Sequence, residues 1–363
     1  MKAFVSLRRA LMPVLTGCLF AHCDDSSEPN GGSPDASEVS EDTTAPPPDT
    51  TPSDSDALAH VPPTPRLPGP EDTRPFALSE LGLFHEGAPA PDLVAFAPRY
   101  PLWSDALEKR RWLRLPPGAR IDNGDPDYWQ LPVGGVLFKE FAIGSRPLET
   151  RVIARTGPGR MDYWMGAFVW REDGSDADFV RAGAVDVGGT DHDVPSSEAC
   201  WGCHVGTPGR VLGLATLQLS DAPAGSVSLE ALAPLLTTTP VPYEVPGDPT
   251  ERAALGYLHA NCGHCHNPNG TARPDTDLDR SVSVHDATPE ATGALRTAVG
   301  VATRSWMHEG VPLRIAPGDP DASAIIVRMR ARGDKDQMPP LGTEHVDDAG
   351  LALVEAWVRG LVE

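Results

Sequence analysis

The hydrophobic pattern changes period along the chain. Between 134 and 176 it is a strand pattern. The segments "GGVLFKEFAIG" (134–144), "PLETRVIART" (147–156) and "MDYWMGAFVWREDGSD" (161–176) are bounded by Gly, Pro and Asp, the punctuation of short strands. In the last segment Tyr163, Met165, Ala167 and Val169 alternate with Trp164, Phe168 and Trp170. The two sets face opposite sides of a sheet. This predicts a mainly antiparallel β-rich module over 76–236, followed by a Pro-rich connector at 237–248.

Beyond the connector the period becomes helical. "DPTERAALGYLHANC" places Asp248 as N-cap, Pro249 at the first helical position and Glu251 to complete a capping box. Thr288-Pro289 and Asp319-Pro320 give the same kind of start, and Gly333 reads as the stop of the second of these helices. Leu351, Val354, Val358 and Leu361 recur at helical spacing in the last segment. The expected fold class is therefore α+β: a β-rich N-terminal module, then an all-α domain over 249–363.

Composition alters this picture mainly at the N-terminus. Lys2, Arg8 and Arg9 precede an apolar run too short to span a bilayer, so residues 1–23 read as an export signal. "LTGC" (15–18) resembles a bacterial lipoprotein box, which implies a lipid on Cys18; Cys23 is the rival anchor. From Asp24 to Pro65 there is no Lys or Arg. That acidic Pro/Ser/Thr stretch, within 24–75, buries too little apolar surface to order itself and reads as a disordered tether. The reading puts the protein in the periplasm or another extracytoplasmic space, touching membrane only through the anchor. The whole chain has 30 Lys+Arg against 51 Asp+Glu, net −21. Such acidity argues against nucleic acid or an anionic membrane surface as a partner.

Cysteine usage carries the chemistry. Outside the signal there are four: Cys200 and Cys203 in "CWGCH", Cys262 and Cys265 in "CGHCH". Both are C-x-x-C-H, the signature of c-type haem attachment. Two thiols add across the two vinyl groups of one porphyrin, and the next imidazole, His204 or His266, reaches the iron. The sequence thus predicts two haem c groups. Zinc held by two C-x-x-C pairs is the competing reading, but zinc does not require a histidine after each pair. A thioredoxin-like redox pair lacks its βαβ surroundings. His264, between the tethering cysteines, is expected to point away from the iron.

Residues 249–363, with the helix entering "CGHCH", the distal "MPPLG" and a C-terminal helix carrying Trp357, resemble a class I cytochrome c. The resemblance implies His266 as proximal and Met338 as distal ligand, with Trp357 packed on the first helix. Leu258 stands where that family places an aromatic, and Tyr257 is one position earlier. A thioether–imidazole pair raises the haem potential and leaves no open coordination position. Over most of the chain, "PLWSDALEKRRWLRLPPGARI", "LPVGGVLFKEF", "ETRVIAR", "VWREDGSDA", "VPSSEACWGCH" and "LGLATLQL" resemble a family of exported bacterial diheme c-type cytochromes of unassigned role. "VGGVLFKEF" with Lys139 bears a weaker likeness to small β-sheet mono-haem cytochromes that oxidise hydroxylamine.

The segment after His204 contains no Met, His, Lys or Cys up to Leu219. A sixth ligand for the first haem must come from Met161, Met165, His192 or Lys139, or be absent. The expected function is electron transfer through two covalent haems, between redox partner proteins. The alternative is a haem enzyme or sensor in which the first haem is an open centre fed by the second.

Overall fold

Six antiparallel strands in simple sequential order set the frame. The computed structural model describes residues 67–69, 75–85, 88–272 and 277–362. The export signal, Cys18, Cys23 and the tether up to residue 66 lie outside the described residues. A small hairpin, β1 (Phe84–His85) and β2 (Ala88–Pro89), precedes the main sheet. That sheet runs β3 (Val94–Ala95), β4 (Glu108–Arg114), β5 (Val136–Ile143), β6 (Arg146–Arg155), β7 (Tyr163–Trp170) and β8 (Ala177–Phe179). Gly144, at φ 58°, turns β5 directly into β6, a conformation that costs glycine little.

Both faces of the sheet are covered. One presents Trp112, Phe138, Val152 and Phe168 to Phe76, Leu78, Leu81 and Leu83. The other presents Leu113 and Leu137 to Ile121, Trp129, Leu131, Val211 and Leu214. Burial on both sides explains why "VLFKEFAI" is apolar at consecutive rather than alternate positions. Further along the second face the residues turn cationic, with Arg111, Lys139 and Arg151 paired side by side.

Among the described residues seven α-helices follow the sheet: α1 (Ser197–His204), α2 (Thr216–Leu219), α3 (Leu229–Leu232), α4 (Pro249–Asn261), α5 (Gly293–Ala298), α6 (Ala324–Arg330) and α7 (Asp348–Gly360). Asp248 caps α4 by accepting the Thr250 and Glu251 amides at 2.8 and 3.0 Å. Asp347 caps α7 through the Gly350 amide. The two long helices cross with Leu255, Leu258, Val354, Trp357 and Val358 in one buried cluster. A side chain on Gly350 would sit 2.4 Å from the Tyr257 ring, so Tyr257 fills the crossing and Leu258 the core beneath it.

The expected all-α class I cytochrome c domain is not the fold adopted. The dominant element of the chain is the antiparallel sheet, and the described residues after 249 are only partly helical. The segment read as one helix from Thr288 is a 3₁₀ turn, Pro289–Ala291, followed by the six residues of α5. The segment read as a helix from Asp319 is a turn at its start, and α6 runs only from Ala324 to Arg330. Between α5 and α6 the backbone forms β-bridges, Val299 to Ile315, Ala302 to Leu313 and Leu313 to Ser323. The cause lies in Gly300, Gly310, Pro312, Pro317, Gly318 and Pro320, which break helix at short intervals. No helix among the described residues is long and apolar enough to cross a membrane.

Leu258 is fully buried between α4 and its neighbours. Leu258→Ala should therefore cost about 2–5 kcal/mol of stability, read as a lowered urea midpoint. An unchanged midpoint would show that this core does not hold the helices together.

Candidate functional site

The first motif occupies the end of α1. Ser196 caps this helix by accepting the Ala199 amide at 3.1 Å, and Cys200, Cys203 and His204 follow on its later turns. The helix packs on β7. His204 Nδ1 lies 2.8 Å from the Arg210 carbonyl. A carbonyl only accepts, so Nδ1 carries the proton and Nε2 keeps its lone pair. Burial pushes His204 down to about 4, so the ring is neutral at neutral pH. Arg210 locks the loop after the motif. Its guanidinium donates to the Val205 and Thr207 carbonyls, and its Nε donates to the Arg160 carbonyl at 3.1 Å.

The second motif is built differently. Cys262 is the C-cap of α4, and Cys265 and His266 lie in the turn that follows, with the His266 amide donating to the Cys262 carbonyl at 2.9 Å. Asn267, 3 % exposed, staples the turn by donating to the Gly263 carbonyl at 2.7 Å. The Arg280 amide donates to the His266 carbonyl at 2.7 Å. Burial pushes His266 down to about 4, and its Nδ1 has no hydrogen-bond partner. The Arg280 side chain is 3 % exposed, and its Nη1 is likewise unpartnered.

The two motifs meet. Thr271 Oγ1 donates to the Gly202 carbonyl at 3.1 Å, and Cys265 Sγ lies 3.7 Å from the same oxygen. A Cβ on Gly206 would come within 2.6 Å of the His264 carbonyl and 2.8 Å of Gly270 Cα. Only a glycine permits this approach. Ligand atoms of Cys203, His264 and Cys265 lie within 4.8 Å of one another. His264 is thus beside both thiols. The closeness of the two thiols raises Cys203 and lowers Cys265. None of the four described cysteines forms a disulfide.

A scan against protein-family models gives no match, and neither does a search of curated proteins or of solved structures. The site's own geometry carries the functional argument.

The remaining candidates are spread around this junction. Met338 is half-buried and donates its amide to the Arg328 carbonyl at 3.0 Å; Arg328 is one of the charges acting on His266. Met161 is exposed and accepts from Arg210 at 3.3 Å through sulfur. Met165 is buried in β7, the strand that carries α1. His192 Nε2 is engaged 2.8 Å from Glu149. Lys139 is half-buried, its ammonium 4.6 Å from the Phe141 ring. Residues that the sequence does not single out also stand here: Glu149, Arg151, Arg111 and Arg280. "ETRVIAR" shows charges within a strand, but nothing in that string says they are buried.

Glu149 is fully buried and grips Arg151 through two bonds of 2.6 and 2.9 Å. Burial raises its carboxyl, but the Arg151 charge and the His192 and Arg151 hydrogen bonds outweigh this and hold it below the usual 4.5. Its contribution is present above pH 4.5 and lost as pH falls through the lowered folded value. Glu149→Gln should flatten the acid limb of a stability–pH curve below that point; an acid limb as steep as before would show that Glu149 is not the linked group. Gly206→Val should cost about 1–3 kcal/mol and open Cys203 and Cys265 to a thiol reagent in protein lacking attached groups. Unchanged thermal stability and thiol reactivity would show that the motifs do not meet through this residue.

Proposed function

We propose that the chain is an exported c-type cytochrome in which two covalently attached haems carry electrons between redox partner proteins. The reading rests on one observation: two C-x-x-C-H motifs from distant parts of the chain adjoin, with unbonded thiols and neutral histidines. Cys200 and Cys203 would hold one haem, Cys262 and Cys265 the other. Each haem supplies a one-electron carrier when bound. His204 and His266 are the proximal ligands in this reading, and Met338 the distal ligand at the second site.

Two features of the chain fit such groups. His204 donates through Nδ1 to a backbone carbonyl, the outer-shell bond that fixes a metal-binding imidazole with Nε2 forward. Beside the second motif, Arg280 keeps a buried guanidinium nitrogen without a partner, a donor suited to a carboxylate of a bound porphyrin. Cys203 and Cys265 are neighbours, so groups tethered there would be neighbours too, as a two-centre electron relay requires. The net charge of −21 suits a basic redox partner through electrostatic steering.

The Cys203–His264–Cys265 cluster favours a second reading, a bound metal ion such as zinc. Structural zinc takes four ligands, and this cluster supplies three. That shortfall ranks the reading below haem.

Mass spectrometry of the mature protein after denaturation separates the two. The expected result is two haem additions that survive denaturation, with one lost in Cys200→Ala/Cys203→Ala and the other in Cys262→Ala/Cys265→Ala. A denatured mass equal to the bare polypeptide, with zinc seen only in the native state, would overturn the haem reading.

A further inference from the structure

An acidic chain sets a row of cations on one face of its sheet, Arg111 buried and Lys109, Lys139 and Arg151 half-buried. Strand register sets Arg111 on β4, Lys139 on β5 and Arg151 on β6 side by side, and paired residues of an antiparallel sheet point to the same face. Lys109 lies two residues from Arg111 on that face. One carboxylate stands within the row, Glu149, and it is saturated by Arg151 and His192. Among the described residues Lys109, Arg111 and Lys139 form no ion pair, although Arg111 is only 9 % exposed. Asp105 and Asp347 act on Lys109 from a distance. Each spends one carboxylate oxygen on backbone: Asp105 Oδ1 takes the Glu344 and His345 amides, and Asp347 Oδ1 takes the Gly350 amide.

Cations drawn partly out of water without facing anions are unfavourable. Burial pushes Lys109 down to about 8 and Arg111 to about 10, and it holds Lys139 well below the lysine range, with Arg111, Arg151 and Lys109 adding to the effect. The row is also reachable at its Lys109 and Arg111 end. A cavity of about 370 Å³ is lined by Lys109 and Arg111 together with Arg99, Pro98, Pro101 and Leu107. At its other end the row approaches the first motif, where Arg151 stands within electrostatic range of Cys200 and Cys203.

We propose that Lys109, Arg111 and Lys139 form an anion-binding site for carboxylate or inorganic oxyanion groups, beside the first C-x-x-C-H helix. Two sources share that chemistry: a free oxyanion entering through the cavity, and the carboxylates of a tetrapyrrole tethered at Cys200 and Cys203. Only the second source rests on the haem reading. The site has the features that such groups select: planar guanidinium and ammonium donors, low exposure and an apolar rim.

The test uses the mature full-length protein as isolated, whatever cofactor its mass reveals. Thermal unfolding is followed against inorganic phosphate and acetate, with chloride matching the ionic strength. A free-anion site gives a saturable rise in melting temperature, weakened at least tenfold in Arg111→Gln and Lys139→Gln. A site filled by tetrapyrrole carboxylates gives no response to phosphate. In that case each variant shifts the ferric-to-ferrous ratio of one haem at fixed potential toward ferric, by about tenfold, equivalent to about 59 mV for one electron. The wild-type titration needs no variant, so a misfolded substitution does not leave the site undecided. If phosphate and acetate have no effect and both variants keep wild-type redox ratios and stability, the row binds no anion. If the mass shows no haem yet phosphate still saturates, the haem reading fails and the anion site stands.

Discussion

Two glycines hold the molecule's chemistry in place. Gly206 follows the first cysteine motif, and Gly270 follows the second. Their bare Cα atoms let backbone lie on backbone where a Cβ would collide with the His264 and Cys265 carbonyls. Everything distinctive about the site follows from that contact. It brings Gly202, Cys203, His264, Cys265 and Thr271 into one cluster. It also couples the sheet, which carries α1, to the crossed pair α4 and α7, which delivers Cys262. Neither part presents the four thiols by itself.

Burial then decides the electrostatics. The junction holds neutral imidazoles, because taking His204 and His266 out of water disfavours their charged forms. Neutral histidines are metal ligands; protonated ones are not. The same desolvation acts on Arg111, Lys139 and Arg280 and makes their charged forms costly. Glu149 offsets one cation of the row and no more. The overall charge of −21 therefore says little about this interior, where the sign is reversed.

The strands at 134–176 were legible because Val, Phe and Trp runs end cleanly in Gly, Pro and Asp. Helices α4 and α7 were legible from Asp248-Pro249 and from the spacing of Leu351, Val354 and Val358. The all-α domain failed because caps at Thr288 and Asp319 mark where a helix can start, not how far it runs. Past each cap, Thr292 and Ser323 spend their hydroxyls on nearby backbone carbonyls, and the chain turns. His264 would project away from a helical turn, but the second motif lies past the helix end, and its turn brings His264 back to the thiols.

The sequence by itself determined which atoms can do chemistry: four thiols and two following imidazoles at fixed spacing, a property of the covalent chain. It also determined the local starts of strands and helices, which depend on neighbours a few residues away. Only the tertiary structure decided that the two motifs adjoin, that His264 joins them and that Arg111 and Lys139 share a buried face. Those outcomes depend on strand register and on close packing between segments far apart in the chain. No local pattern encodes a distance between residues 203 and 265.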